Sequence, residues 1–160
     1  MTDIHPRPYE PRDLAACLAI FDSNVPIWFA PDERPDFCRF LAQPEARGGP
    51  YLVLVQGAEV LACGGLDLGA APGRAGLTWG MVARAHHGRG LGTRLTEARI
   101  ALARATPGIT ELALETSQHT RGFYERFGFA LQSVTPDGFG PGLDRCDMVL
   151  SLAQGSSGCL

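Results

Sequence analysis

Long apolar runs are missing from this chain. None approaches the roughly 18–20 residues of a membrane-spanning helix. The opening segment MTDIHPRPYEPRD also lacks an apolar signal core, so neither a membrane partner nor secretion is expected. Basic excess is missing too, and a net charge of −3 disfavours DNA or RNA as a partner. Cysteines are few: Cys17, Cys38, Cys63, Cys146 and Cys159 are odd in number and lack metal-like pairing. They read as free or buried thiols of a cytoplasmic protein, with no metal expected. Charged residues at 19% and hydrophobic residues at 45% argue against disorder and supply one core. The length of 160 residues suits a single domain. We place it over 1–152, with a frayed tail over 153–160. There are no internal repeats and no linker long enough to divide two domains.

What the chain does have is concentrated between Gly76 and Leu95. Leu77 to Val82 is an apolar, aromatic and β-branched run without proline, as a strand requires. His87-Gly88-Arg89-Gly90-Leu91-Gly92 follows, and Leu91, Leu95, Ala98, Leu102 and Ala105 recur at helical spacing. A glycine loop opening onto a helix aims backbone N–H groups and the positive helix end at one point, which suits a phosphate. Arg84, Arg89, Arg94 and Arg99 add positive charge around it. A dinucleotide fingerprint is excluded, because the last position of G-x-G-x-x-G falls on Thr93 or Leu95. A Walker loop is excluded as well, since no lysine follows these glycines.

Ile109 to Thr116 reads as a further strand, with Leu112 and Leu114 alternating against Ala113 and Glu115. After it comes a turn from Ser117, then Tyr124-Glu125-Arg126-Phe127-Gly128-Phe129. The glycine loop resembles the pyrophosphate loop of the GNAT acyltransferase superfamily, written Gln/Arg-x-x-Gly-x-Gly/Ala, with His87 in the first position. The second segment resembles the same superfamily's Tyr-Glu-x-x-Gly-Phe ending. Its Asn position falls on Ser117 and its Ala position on Thr120. The resemblance extends over most of the chain.

The rest of the sequence fits the same order. Ile4 to Tyr9 reads as an edge strand, and Asp13 as the N-cap of a helix whose Leu14, Cys17, Leu18 and Phe21 share a face. A second helix is predicted from about Asp32 to Ala42, with Phe37, Phe40 and Leu41 inward and Pro44 ending it. Tyr51 to Val55 and Val60 to Asp67 form a hairpin, and Ala70 to Gly73 a loop. Phe129 to Thr135 and Arg145 to Leu150 are the last strands, separated by a flexible PDGFGPGLD segment. The order β-α-α-β-β-β-α-β-α-β-β makes a mixed α/β sheet protein. The resemblance implies a mostly antiparallel sheet splayed between strands 4 and 5, with about four flanking helices and the pantetheine arm of acetyl-CoA in the gap.

The resemblance also implies an acetyl-CoA-dependent N-acetyltransferase acting on a primary amine by direct attack in a ternary complex. Met81 and Val82 would pair with the pantetheine. The amides of Gly88, Arg89, Gly90, Gly92 and Thr93, with His87, Leu91 and Ser117 beside them, would hold the diphosphate end. Tyr124 is the candidate acid, since a phenol with reference pKa of about 10 is protonated at neutral pH and can donate to a leaving thiolate. Phe123 and Phe127 are read as its core-facing neighbours, with Tyr124 turned to the cleft. No acidic residue lies on the strand before the loop. Glu115 and Asp67 are the nearest candidate bases, and a solvated strand-end carboxylate is the plainer role for either. His86, His87 and His119 read as surface groups near the anion.

Trp28, Phe29 and Trp79 suggest an acceptor pocket of apolar or aromatic character, core packing being the alternative for each. The acceptor is a small-molecule or peptide amine, and the protein a monomer or a homodimer paired through an exposed C-terminal strand. Two other readings stay open: a non-catalytic acyl-CoA-binding or regulatory module, and a glycine-loop nucleotide-binding module.

Overall fold

A computed structural model of the protein describes residues 3–46 and 48–152. The tail expected over 153–160, with Cys159, lies outside the described residues. The chain runs β1 (Ile4–Pro8), α1 (Leu14–Ser23), α2 (Arg34–Ala42), β2 (Tyr51–Gln56), β3 (Glu59–Ala71), β4 (Arg74–Val82), α3 (Leu91–Ala105), β5 (Glu111–Thr116), α4 (Arg121–Glu125), β6 (Ala130–Gly140) and β7 (Leu143–Ser151). The element order is the one read from the sequence. The strands form a single sheet in the order β1-β2-β3-β4-β5-β7-β6. Every neighbouring pair is antiparallel except β4 with β5.

Alternation along the strands divides the core between the two sheet faces. Val53, Val55 and Cys63 look toward α1 and α2, where they meet Cys17, Phe21, Phe37 and Leu41. The opposite face carries Leu66, Leu112, Leu114 and Met148 against Ile100 and Phe129. Leu54 and Ala62 join it through Leu95 of α3.

Several local readings need correction. Asp13 is the N-cap residue of α1, as read, but its side chain makes no bond to that helix. Its carboxylate instead accepts from both terminal nitrogens of Arg7, at 2.8 and 2.9 Å, and from the Glu10 N–H at 2.8 Å. A charged fork binds these oxygens more strongly than the neutral N–H groups of the first turn of α1 would. The inward face of α1 is Cys17, Ile20 and Phe21, and Leu14 is exposed. A 3-10 turn, Pro31–Glu33, precedes α2 and delays its start to Arg34. The loop expected at Ala70 to Gly73 shrinks to Pro72-Gly73, because Ala71 pairs with Arg74. The PDGFGPGLD segment is a hairpin end: Gly140 pairs with Leu143, and Asp137 and Asp144 accept N–H bonds across the turn. On α3 the buried residues are Leu91, Leu95, Thr96, Arg99, Ile100 and Ala103, so the stripe is rotated from the predicted one and Ala105 is exposed.

Candidate active site

The parallel pairing of β4 with β5 covers only Arg74–Glu111, Ala75–Leu112 and Gly76–Ala113. Beyond Gly76 the two strands separate, while β4 stays paired to β3 as far as Val82 and β5 to β7 as far as Thr116. A β-bulge accompanies the parting. Cys63 pairs with Met81 and Gly65 with Thr78, so Gly64 faces both Trp79 and Gly80. Bulges increase twist and re-aim a strand. Trp79 has φ +43°, unusual for a bulky residue. It is held there by Tyr51, whose Oη donates to the Trp79 carbonyl at 2.7 Å, and by ring contacts with Phe37, Phe29 and Phe40. Burial pushes the Tyr51 phenol up, which keeps it a donor.

At the open end of β4 the chain makes a short 3-10 turn, Arg84–His86, and enters the glycine loop. Gly88 and Gly90 have φ of +80° and +78°, and a Cβ at either would meet nothing within 4 Å. Glycine is needed there for backbone conformation, and it leaves the loop bare on its outer side. Gly90 is the N-cap of α3, so the first N–H groups of the helix, those of Leu91, Gly92 and Thr93, have no intrahelical acceptor. A 15-residue helix thus presents its positive end at an exposed, side-chain-poor loop, which suits an anion.

The flanking side chains are tied down. His87 Nε2 donates to the Val82 carbonyl at 2.8 Å, and the His87 ring meets Trp28 edge-on at 4.9 Å. Arg89 donates to His86 Nδ1 at 2.5 Å, and His86 Nε2 donates to Glu59 at 3.2 Å. Arg94 donates to the Ile4 carbonyl, and Arg99 is buried inside the fold. Of the expected arginine cluster, Arg84 and Arg89 remain beside the loop, Arg84 lying over the Trp28 ring at 5.7 Å.

Tyr124 sits on α4, which the strand β5 delivers through a turn at Ser117. The Ser117 carbonyl accepts from Thr120 and Arg121 N–H groups, and Ser117 Oγ accepts from the His119 N–H at 3.2 Å. The end of this helix explains the Tyr-Glu-x-x-Gly-Phe pattern. Gly128 has φ +99°; its N–H bonds to the Glu125 carbonyl, and the Phe129 N–H to the Tyr124 carbonyl. That is a Schellman closure, with the apolar contact that accompanies it made by Tyr124 and Phe129, ring centroids 5.8 Å apart. The half-buried Tyr124 therefore packs on the core together with Phe127. Phe123 is the one turned away, toward the start of α3, where a Cβ on Gly92 would lie 3.7 Å from its ring. The predicted division of labour among these three rings is reversed in that respect.

The acidic candidates lie elsewhere. Glu115 alternates with Leu114, so it faces away from the core that carries Tyr124, and it pairs with Arg145 at 3.1 Å. Asp67 accepts the Gly69 N–H at 2.8 Å. Phe29 and Trp79 pack together on the α1–α2 face, as one reading of them had it. Trp28 leaves that group and stands half-exposed beside the glycine loop.

Asn24 and Gln118, which the pattern did not single out, and Arg99, which it placed around the glycine loop, tie the surrounding elements together. Asn24 is buried and donates to the carbonyls of Ile20 and Val82, both at 2.9 Å, tying α1 to the end of β4. Gln118 bridges the α4 turn to the β6–β7 hairpin through the Gly142 carbonyl and the Asp144 N–H. Arg99 reaches from α3 to the bulge, where burial pushes the guanidinium down and the oxygens of Tyr124 and Tyr51 oppose that shift. An asparagine closing a helix was legible in principle; the burial of Arg99 was not. Among the described residues no group of three or more His, Cys, Asp or Glu is placed to hold a metal ion, and no helix is long and apolar enough to cross a membrane.

Residues 17–129 match the model of the Acetyltransferase (GNAT) family. No match is found among curated proteins. Among solved structures, a GNAT-family protein from Desulfovibrio desulfuricans superposes with a TM-score of 0.80 at 24% identity, covering 94% of this chain and 100% of that one. A Salmonella typhimurium protein solved with acetyl-CoA gives 0.76 at 21% identity, with 96% of each chain covered. The ribosomal-protein-S18-alanine N-acetyltransferase of Escherichia coli gives 0.76 at 19%, with 99% of each covered. At such identities the likeness speaks for the fold.

Proposed function

The chain belongs to the acetyltransferase (GNAT) family, and on that premise we propose that it is an acetyl-CoA-dependent N-acetyltransferase of a primary amine on a small molecule or peptide. Acetyl-CoA supplies a thioester whose carbonyl accepts an amine and whose sulfur leaves. The amides of Gly88, Arg89, Gly90, Gly92 and Thr93, with Leu91 and His87 alongside, receive the diphosphate at the α3 N-terminus. The edge of β4 at Met81 and Val82 receives the pantetheine, as a sheet edge receives an added strand. Ser117 shapes the opposite wall. Tyr124 donates its proton to the leaving sulfur. Glu115 is engaged by Arg145, and no proton transfer is assigned to it. Trp28 and the Phe29–Trp79 pair flank the acceptor side.

The observations that support this proposal are three features of the fold. They are the parting of β4 from β5 after Gly76, the bare positive-φ glycine loop, and a tyrosine fixed by its own helix closure. The test is thiol release from acetyl-CoA across a panel of amines, amino acids and peptides, for the wild type and Tyr124→Phe. An acetyltransferase releases thiol with at least one amine, and Tyr124→Phe lowers kcat by about 10²-fold or more with CoA affinity unchanged. No release with any amine, despite CoA binding, would favour a binding module. ATP or NAD binding without CoA affinity would contradict the proposal.

A further inference from the structure

Arg121-Gly122-Phe123-Tyr124-Glu125-Arg126 makes up α4 and its C-cap, with two arginines and a single carboxylate. Arg121 and Glu125, four apart, take each other as partners at 3.2 Å, the pairing that helical spacing favours. Arg126 is left exposed, and among the described residues no carboxylate forms an ion pair with it. Its guanidinium lies instead over the ring of Phe123, three residues back, at 5.2 Å from the centroid. A contact of that kind orients an exposed cation and leaves its charge uncompensated. The ring beneath is itself held edge-on by Tyr124 at 5.0 Å and by Phe127 at 5.2 Å.

Phe123 abuts the first turn of α3, where a Cβ on Gly92 would lie 3.7 Å from its ring. Because β4 leads to α3 and β5 to α4, Phe123 and Arg126 reach the glycine loop from across the splay. The arginines nearer in sequence are otherwise engaged. Arg89 is bonded to His86, Arg94 to the Ile4 carbonyl, and Arg99 is buried. Arg84 lies over Trp28 on the β4 side. On the β5 side, one ring's width from the amides given to the diphosphate, Arg126 is the oriented cation without a carboxylate.

Coenzyme A carries a further anion beyond its diphosphate, the 3′-phosphate of its ribose. A phosphomonoester holds about −1.5 to −2 charge at pH 7, and a guanidinium fork matches its oxygens. We propose that Arg126, carried on the Phe123 ring, receives this 3′-phosphate and is the residue by which the protein distinguishes CoA from dephospho-CoA. This rests on the diphosphate being received at the mouth of α3.

The test is titration calorimetry with CoA and with dephospho-CoA, on the wild type, Arg126→Gln, Arg126→Lys and Arg84→Gln. The wild type should bind CoA at least about tenfold more tightly than dephospho-CoA. Arg126→Gln should bind CoA only as tightly as dephospho-CoA, its affinity for the latter staying within about twofold of wild type. Arg126→Lys keeps the charge and loses the fork, so it should retain part of the preference. Arg84→Gln should leave the ratio of the two affinities unchanged. Equal losses for both ligands in Arg126→Gln overturn the assignment, because the residue then serves the diphosphate or the fold. A preference that survives Arg126→Gln, or one that collapses in Arg84→Gln instead, overturns it as well. A wild type that binds both ligands equally well refutes the 3′-phosphate site alone; one that binds neither refutes the reading of the α3 mouth on which it rests.

Discussion

Gly90→Ala separates what the glycine loop does for the fold from what it does for a ligand. Gly90 has φ +78° and ψ 9°, and an added methyl would meet no protein atom within 4 Å. The cost to folding is then backbone strain alone, about 1–2 kcal/mol for a non-glycine residue in the left-handed region. It should appear as a lower urea midpoint at unchanged slope. Gly92→Ala is the matched control. It lies inside α3, where its Cβ would make an ordinary contact 3.7 Å from Phe123, so it should be neutral or stabilising by up to about 1 kcal/mol. Titration calorimetry with CoA should show at least a tenfold loss of affinity for Gly90→Ala, equivalent to about 1.4 kcal/mol. If Gly90→Ala is destabilised as expected yet binds CoA as tightly as wild type, the loop is a turn and the anion site lies elsewhere.

Other outcomes follow from the packing. The Arg7 guanidinium holds the Asp13 carboxyl below the usual carboxylate range. Its stabilising contribution is therefore complete above about pH 4 and is lost as pH falls through the lowered folded value. Asp13→Asn should cost about 1.5–3 kcal/mol at pH 7, and urea midpoints of the two proteins should converge toward pH 2; a gap independent of pH would refute the pairing. Phe37→Ala empties a fully buried site between Phe21 and Trp79 and should cost about 3–5 kcal/mol in chemical denaturation. Asn24→Ala removes the bond to the Ile20 carbonyl that closes α1 and the bond to the Val82 carbonyl that ties α1 to β4, and should cost about 1–3 kcal/mol.

Where a pattern had a single physical cause, the sequence was enough to read it. The glycines of the loop could only mark positive φ or close approach, and the alternation of Leu112 and Leu114 could only mark a half-buried strand. Tyr124, Gly128 and Phe129 were recognisable as a set, though their cause, a Schellman closure, emerges only with the hydrogen bonds. The misreadings arose where long-range partners overrode local signals. Asp13 does stand at the N-cap of α1, but Arg7 of β1 claims its oxygens in place of the helix N–H groups. The glycine-rich stretch between Pro136 and Asp144 looked like a loop, but pairing with β7 extends it. Arg99 was grouped with the arginines around the glycine loop because only the sheet beneath α3, with Gly64 and Gly80 opposite, shows why a guanidinium fits inside.

The account stands on the mouth of α3 receiving the diphosphate, and backbone amide NMR during titration reports on that place directly. Addition of CoA should shift the amides of Gly88, Arg89, Gly90, Gly92 and Thr93, and pantetheine, which lacks the diphosphate, should leave them in place. Saturable CoA binding with those amides unmoved would contradict it.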